Sequence, residues 1–389
     1  MKHKIILLLL IPQLLLQAQT DFEVYLQSIE ANNKTLLAAR KLAEAEQLSA
    51  KTGIYLENPE ISYDYLNGNN ENYSEMVVSQ AFDFPTAYSH RNKIADINEL
   101  QANEQYLGLR LNTLNEAVES YARQIIAIRK LNMLRELDSM LYRLQANAER
   151  KLELGDANIL ETNRIRTESA KNKVEVNLLL TNTEALKQKI KTLNGGNDYS
   201  VTGTEVISIR LPVITDSVIQ QVVKRHPTYS FWNGELNKSE YEIKLQKANS
   251  LPKFELGYRQ DQSNAGTFNG ISAGMSIPLF ENKNTVKRAK AQQAYAIEEM
   301  WAKQLTIEIE LKKLAKEYAI VSSALMEIEE MIAGQNTPGL LIKAYEAGQI
   351  NYTEFFSEYS SYKTTQLYIE DIRLKTYLLE MKLYLYTMI

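Results

Sequence analysis

The chain has 389 residues, with 48 acidic against 44 basic side chains, three histidines and no cysteine. Without cysteine there is no disulfide framework, thiolate metal site, catalytic thiol or lipid-bearing cysteine. The slightly negative balance, with no long basic run, argues against nucleic acid as a partner. No metal-ligand spacing of histidines, Gly-rich phosphate loop or Ser-His-Asp arrangement occurs, so no catalytic residue, metal or cofactor is assigned and no enzyme activity is expected.

The chain opens on Lys2, His3 and Lys4, an apolar run over 5–16 and then "LQAQT". This is the pattern of a secretory signal peptide, residues 1–18, with cleavage after Ala18. The run falls short of the ~20 residues a spanning helix needs, so the chain is read as exported. After an N-terminal helical stretch, "ENPEISYDYL" alternates Ile61, Tyr63 and Tyr65 with Ser62 and Asp64, and a partner run carries Val78, Phe82 and Phe84. These predict strands at about 60–67 and 74–84. From 86 to 154 there is no proline and one glycine, Gly108. Leu111, Leu114, Val118, Tyr121, Ile125 and Ile128 step by three and four, the seam of a very long helix.

Gly155 in "KLELGDANILE" ends that helix, and a returning helical path is expected over 158–193 and, past a loop-rich segment, over 211–250. Strands at about 253–260 and 268–277 follow, with Phe254, Leu256 and Tyr258, then Ile271, Ala273, Met275 and Ile277, at alternate positions. A second long helix repeats the seam with Leu311, Leu314, Tyr318, Val321, Leu325 and Ile328. It is expected to break at "GQNTPGLL", where Pro338 removes a backbone donor, with Thr337 capping the restart and Pro338 as its first residue.

The two halves are one unit written twice. Pro59 and Pro252, Tyr65 and Tyr258, Pro85 and Pro278, Gly155 and Gly348, and Asn158 and Asn351 are each 193 positions apart. Alternating strands of this length suit either a half-buried soluble hairpin or tilted membrane-spanning strands of ~9–11 residues. Export, duplication and aromatic strand residues favour the membrane. Four strands cannot close a barrel and open edges are not tolerated in lipid, so several chains must pool their strands.

In this order and spacing the chain resembles the TolC-type outer-membrane efflux proteins (outer membrane factors) over essentially its whole mature length. The features that carry the likeness are the twofold repeat, the "NPEISYDY" and "LPKFELGY" openings before each hairpin, the Pro85 and Pro278 exits and the glycine-centred tips. The resemblance implies a mainly α fold with a small transmembrane β-barrel contribution, built from two tandem repeats of helix, β-hairpin, long helix and helix. The repeats span 19–196 and 213–389, with an equatorial linker at 197–212 and tips at 154–158 and 347–351. It implies a homotrimer whose twelve-stranded barrel continues into an α-helical tunnel, sited in the outer membrane of a Gram-negative bacterium and reaching into the periplasm. Implied partners are a periplasmic membrane-fusion adaptor, an inner-membrane RND-type pump and outer-membrane lipid.

Leu154, Gly155, Asp156 and Ala157, with Ala347, Gly348, Gln349 and Ile350, are implied to meet the adaptor. Tyr345 and Glu161 are implied to form a polar latch that shuts the tunnel, with Glu354, Ser357 and Glu358 at its aperture. Ile350 stands where the family's latch arginine would be. Pro338, with no counterpart in the first half, is read as a hinge. The stretch "SQAFDFPTAYSHR" leans toward the CusC- and CzcC-like heavy-metal branch, although the chain lacks the Cys, His or Met groupings of a metal relay. Drug efflux and type I protein secretion are the alternative roles, and a soluble periplasmic coiled-coil scaffold is a remote one.

Overall fold

A computed structural model describes residues 21–68, 72–155, 158–201, 211, 213–334 and 336–388. The signal peptide expected at 1–18, most of the linker expected at 197–212, and the tip residues Asp156 and Ala157 lie outside the described residues. The first half comprises α1 (Asp21–Asn32), α2 (Lys34–Ala50), β1 (Glu60–Asn67), β2 (Asn72–Phe82), α3 (Pro85–Glu153) and α4 (Ile159–Leu193). The second comprises α5 (Asp216–Arg225), α6 (Pro227–Ala248), β3 (Lys253–Ser263), β4 (Gly266–Ser276), α7 (Thr285–Ile332), α8 (Thr337–Glu346) and α9 (Tyr352–Thr387).

At 69 residues, α3 is about 104 Å long. Its only proline, Pro85, sits in the first turn, where the missing N–H has no helical partner to lose. Leu111, Leu114, Val118, Tyr121 and Ile125 form its buried seam. α3 packs against α4 toward the tip and against α6 toward the strands, while α9 packs on both α3 and α7. Two apolar cores result. One lies at mid-height, where Phe22, Tyr25, Tyr121, Ile190, Val223 and Met381 bring α1, α3, α4, α5 and α9 together. The first and last described helices meet there, with Tyr384 Oη donating to Glu23 at 3.3 Å. The other fills the tip with Leu134, Leu141, Ile165, Phe355 and Tyr359.

The four strands form one antiparallel sheet in the order β1-β2-β3-β4. Its register places Ile61 opposite Val78, Val78 opposite Tyr258, and Tyr258 opposite Ile271; Phe82, Phe254 and Met275 form a second such row. Because side chains alternate with period two, the face holding these rows is mainly apolar, with Ser74, Gln260, Gln262 and Asn269 toward its hairpin ends. The other carries Glu60, Asp64, Glu75, Glu255 and Asp261 against Lys253 and Arg259. On that polar face Arg259 pairs with Glu75 at 3.1 Å and Asp261 at 2.9 Å. Gly257 sits between Ser79 and Ser272, and a Cβ there would lie 2.6 Å from Ser272 Oγ. Within the chain β1 and β4 each have a free edge.

Four local expectations are corrected. The helix expected over 211–250 begins at Asp216 and is broken between α5 and α6, because Pro227 forces His226 into extended backbone (φ −63°, ψ 127°). β2 lies two residues upstream of 74–84, which leaves Phe84 as the residue before α3. β3 runs to Ser263 and β4 starts at Gly266, joined by a two-residue turn in which Ser263 faces Gly266. The restart of the second long helix is capped by Asn336, not Thr337: its side chain accepts the Gly339 N–H, and Pro338 becomes the second helical residue. Gly334, at φ 80°, has already turned the chain there.

Candidate functional site

The repeated Gly-x-x-Asn skeleton has a local cause at each tip. Gly155 (φ 79°) and Gly348 (φ 67°) occupy left-handed backbone just past a helix end, a conformation glycine takes without a Cβ clash. At the second tip Gly348 N–H donates to Tyr345 O at 3.0 Å and Gln349 N–H to Ala344 O at 2.9 Å, closing the last carbonyls of α8. The asparagine three positions on starts the next helix. Asn158 accepts the Leu160 N–H at 2.9 Å. Asn351 accepts the Glu354 N–H at 3.0 Å while the Glu354 carboxylate accepts the Asn351 N–H at 2.9 Å, a reciprocal capping box.

These turns bring Glu161, in the first turn of α4, to Tyr345 near the end of α8, and the Tyr345 hydroxyl donates to the Glu161 carboxylate. Burial, and then that carboxylate, push the phenol far above its ordinary pKa, so it remains a donor across physiological pH. The Tyr345 ring packs on Phe355 at 5.3 Å, and Lys151 Nζ lies 5.9 Å from its centre. Two further links join α4 to α9: Arg164 over the Tyr352 ring at 5.9 Å, and Lys363 Nζ to Glu175 at 2.6 Å. Neither was found in the sequence, since each joins segments almost 190 positions apart and has no local pattern.

The other sequence-derived residues fall around this contact. Leu154, Ala347, Gly348, Gln349, Ser357 and Glu358 are exposed, whereas Ile350 packs against the tip core beside Tyr345 and Tyr352. Glu354 is exposed, but its carboxylate is engaged in the capping box. Ile159 and Leu160 add an exposed apolar step at the first tip that sequence reading missed. Pro338 lies about two helical turns before Tyr345, within α8. Among the described residues no cluster of His, Cys, Asp or Glu could hold a metal ion, and no helix is long and apolar enough to cross a membrane. The arrangement offers shape, charge and a breakable contact.

No family model matches the chain, and no curated protein matches it either. Solved structures do match it. CusC, described for its folding and transmembrane channel formation, is 17% identical with a TM-score of 0.79, covering 95% of this chain and 92% of its own. The Campylobacter jejuni outer membrane channel CmeC is 13% identical with a TM-score of 0.75, covering 95% and 85%. The open state of the Neisseria gonorrhoeae outer membrane channel MtrE is 11% identical with a TM-score of 0.70, covering 94% and 88%. At such identities the likeness is one of fold, along nearly the whole chain.

Proposed function

We propose, from the premise that this chain has the fold of the TolC-type outer-membrane channels, that it is the outer-membrane exit duct of a tripartite efflux system. The observation that carries this reading is the sheet. One face is mainly apolar, the other is charged, and both edges are open. It also sits at one end of a helical body about 100 Å long. A soluble coiled-coil scaffold has no use for an apolar sheet face, and an open edge in lipid is forbidden. Three copies pool twelve strands into a closed barrel, apolar outward and polar toward the lumen, in the outer membrane of a Gram-negative bacterium. The helices continue the bore into the periplasm.

In this reading Leu154, Gly155, Asp156 and Ala157, with Ala347, Gly348, Gln349 and Ile350, receive a periplasmic membrane-fusion adaptor, and an RND-type pump drives the cargo. The Tyr345–Glu161 bond is a latch, Glu354, Ser357 and Glu358 border the aperture, and the segment around Pro338 is the hinge. Five carboxylates against two cations on the polar face of each chain favour cationic cargo, for which heavy-metal ions are one class. Drug efflux and type I protein secretion use the same kind of duct.

The test is fractionation followed by reconstitution. A heat-sensitive, SDS-resistant trimer in outer membranes, giving cation-preferring conductance in planar bilayers, is expected. A stable monomer in the soluble periplasmic fraction overturns the proposal.

A further inference from the structure

The two hairpin exits, which the 193-residue repeat makes equivalent, are built differently. At the first exit α3 begins at Pro85 itself. At the second, α7 begins only at Thr285, seven residues beyond the equivalent Pro278, which leaves 279–284 as a non-helical turn. Leu279 and Phe280 on this turn are 75% and 84% exposed. The turn is anchored: Asn282 Nδ2 donates to Asn249 O at 2.6 Å, and Asn284 holds left-handed backbone at φ 67°. The apolar pair is therefore presented outward by a fixed support.

Charge separates the two exits as well. At the junction of β2 and β3, inside the chain, Asp83 is buried between Arg91 and Lys253, the latter at 3.4 Å. Across the repeat, Asp83 corresponds to Ser276, Lys253 to Glu60 and Arg91 to Asn284. The free edges of β4 and β1 therefore cannot be joined by that ion pair. Immediately before β1, however, the chain carries Tyr55 and Leu56, 74% and 52% exposed. In an antiparallel ring of strands the end of β4 lies beside the start of the next chain's β1. This brings 279–280 of one copy to 55–56 of the next, whatever the register by a residue or two.

We propose that the seam between subunits is closed at the periplasmic rim of the barrel by an apolar clasp, Leu279 and Phe280 of one copy packing on Tyr55 and Leu56 of the next. The occupant of each exposed patch is a second copy of this chain. The clasp does between subunits what the Asp83 ion pairs do within one. It rests on the barrel reading above.

The cysteine-free sequence permits a direct test. Tyr55→Cys with Phe280→Cys, and separately Leu56→Cys with Leu279→Cys, are treated in outer membranes with a short bismaleimide, each single variant serving as control. Covalent dimers and trimers on denaturing gels from at least one double variant, and none from the single variants, are the expected result. Native trimer on unheated gels with no covalent link in either double variant overturns the clasp and leaves the barrel standing, the turn then facing lipid. A wild-type chain that is monomeric overturns the barrel, and the clasp with it.

Discussion

Tyr345 and Glu161 are joined by one hydrogen bond that couples α8 to α4. Such a bond contributes about 0.5–1.5 kcal/mol, and in the trimer reading three copies acting together would bias an opening equilibrium by about 1.5–4.5 kcal/mol. Tyr345→Phe keeps the ring on Phe355 and deletes the donor. It is expected to raise single-channel conductance in planar bilayers without lowering trimer yield. Wild-type conductance would mean that Arg164 on Tyr352, Lys363 on Glu175 and the packing of Ile350 hold the tip instead. His226 gives a second residue-scale prediction. Its Nδ1 accepts the Thr228 N–H at 3.2 Å as the cap of α6, which requires the neutral ring, and burial lowers its pKa to about 4. Between pH ~6.5 and ~4 the unfolded chain binds the extra proton. This contribution is therefore complete above about pH 6.5 and falls by about 3 kcal/mol as the pH drops toward 4. His226→Asn retains a capping acceptor without a titrating ring. Chemical denaturation at several pH values should give it a flatter acid limb than wild type.

Among the helices, a charged tie joins three elements between mid-height and the tip. Glu370 on α9 accepts from Arg129 on α3, at 3.0 and 3.1 Å, and from Arg373, which also reaches Glu329 on α7. Removing the carboxylate with Glu370→Ala takes a shared acceptor from Arg129 and from Arg373, which keeps Glu329, a loss of about 1.5–3 kcal/mol. A lowered denaturation midpoint should report it. Below this tie α7 ends, and the long leg of the second half is jointed there, where α3 in the first half runs on unbroken. Since Gly334 and Asn336 set the joint, Pro338→Ala should leave the break in place. Gly334→Ala, which strains a left-handed position by about 1 kcal/mol, should alter opening more, read as conductance and open probability. If Pro338→Ala has the larger effect, the joint is governed by the proline. The long helices, the strands and the tip turns were legible because each has a local cause: no internal proline, strict alternation, or a glycine followed by a capping asparagine. The α5–α6 break was also written, in Pro227, but the helical composition on either side masked it. Whether Asn336 or Thr337 caps α8 depended on the turn at Gly334, which composition does not reveal. The links between α4 and α9 depend on how two distant helices meet, so their partners could be named only once the fold was in hand.

At the scale of the whole molecule, each chain offers one β1 edge and one β4 edge, and in the trimer reading no chain can satisfy both by itself. A polypeptide blunted along β4 by proline at whichever of Ser272 and Ala273 directs its N–H to the free edge, where a ladder donor is lost, still presents a sound β1 edge. It can therefore enter an assembly and leave the ring unclosed. When such a variant and wild type are made in equal amounts and mix freely, only about one ring in eight is free of it under threefold closure. Export should then fall far below the one half expected of independent monomers, which co-expression at graded ratios would measure. Under the trimer reading, the free edges described above make such an edge defect dominant: a chain damaged on one side disables the sound chains it joins.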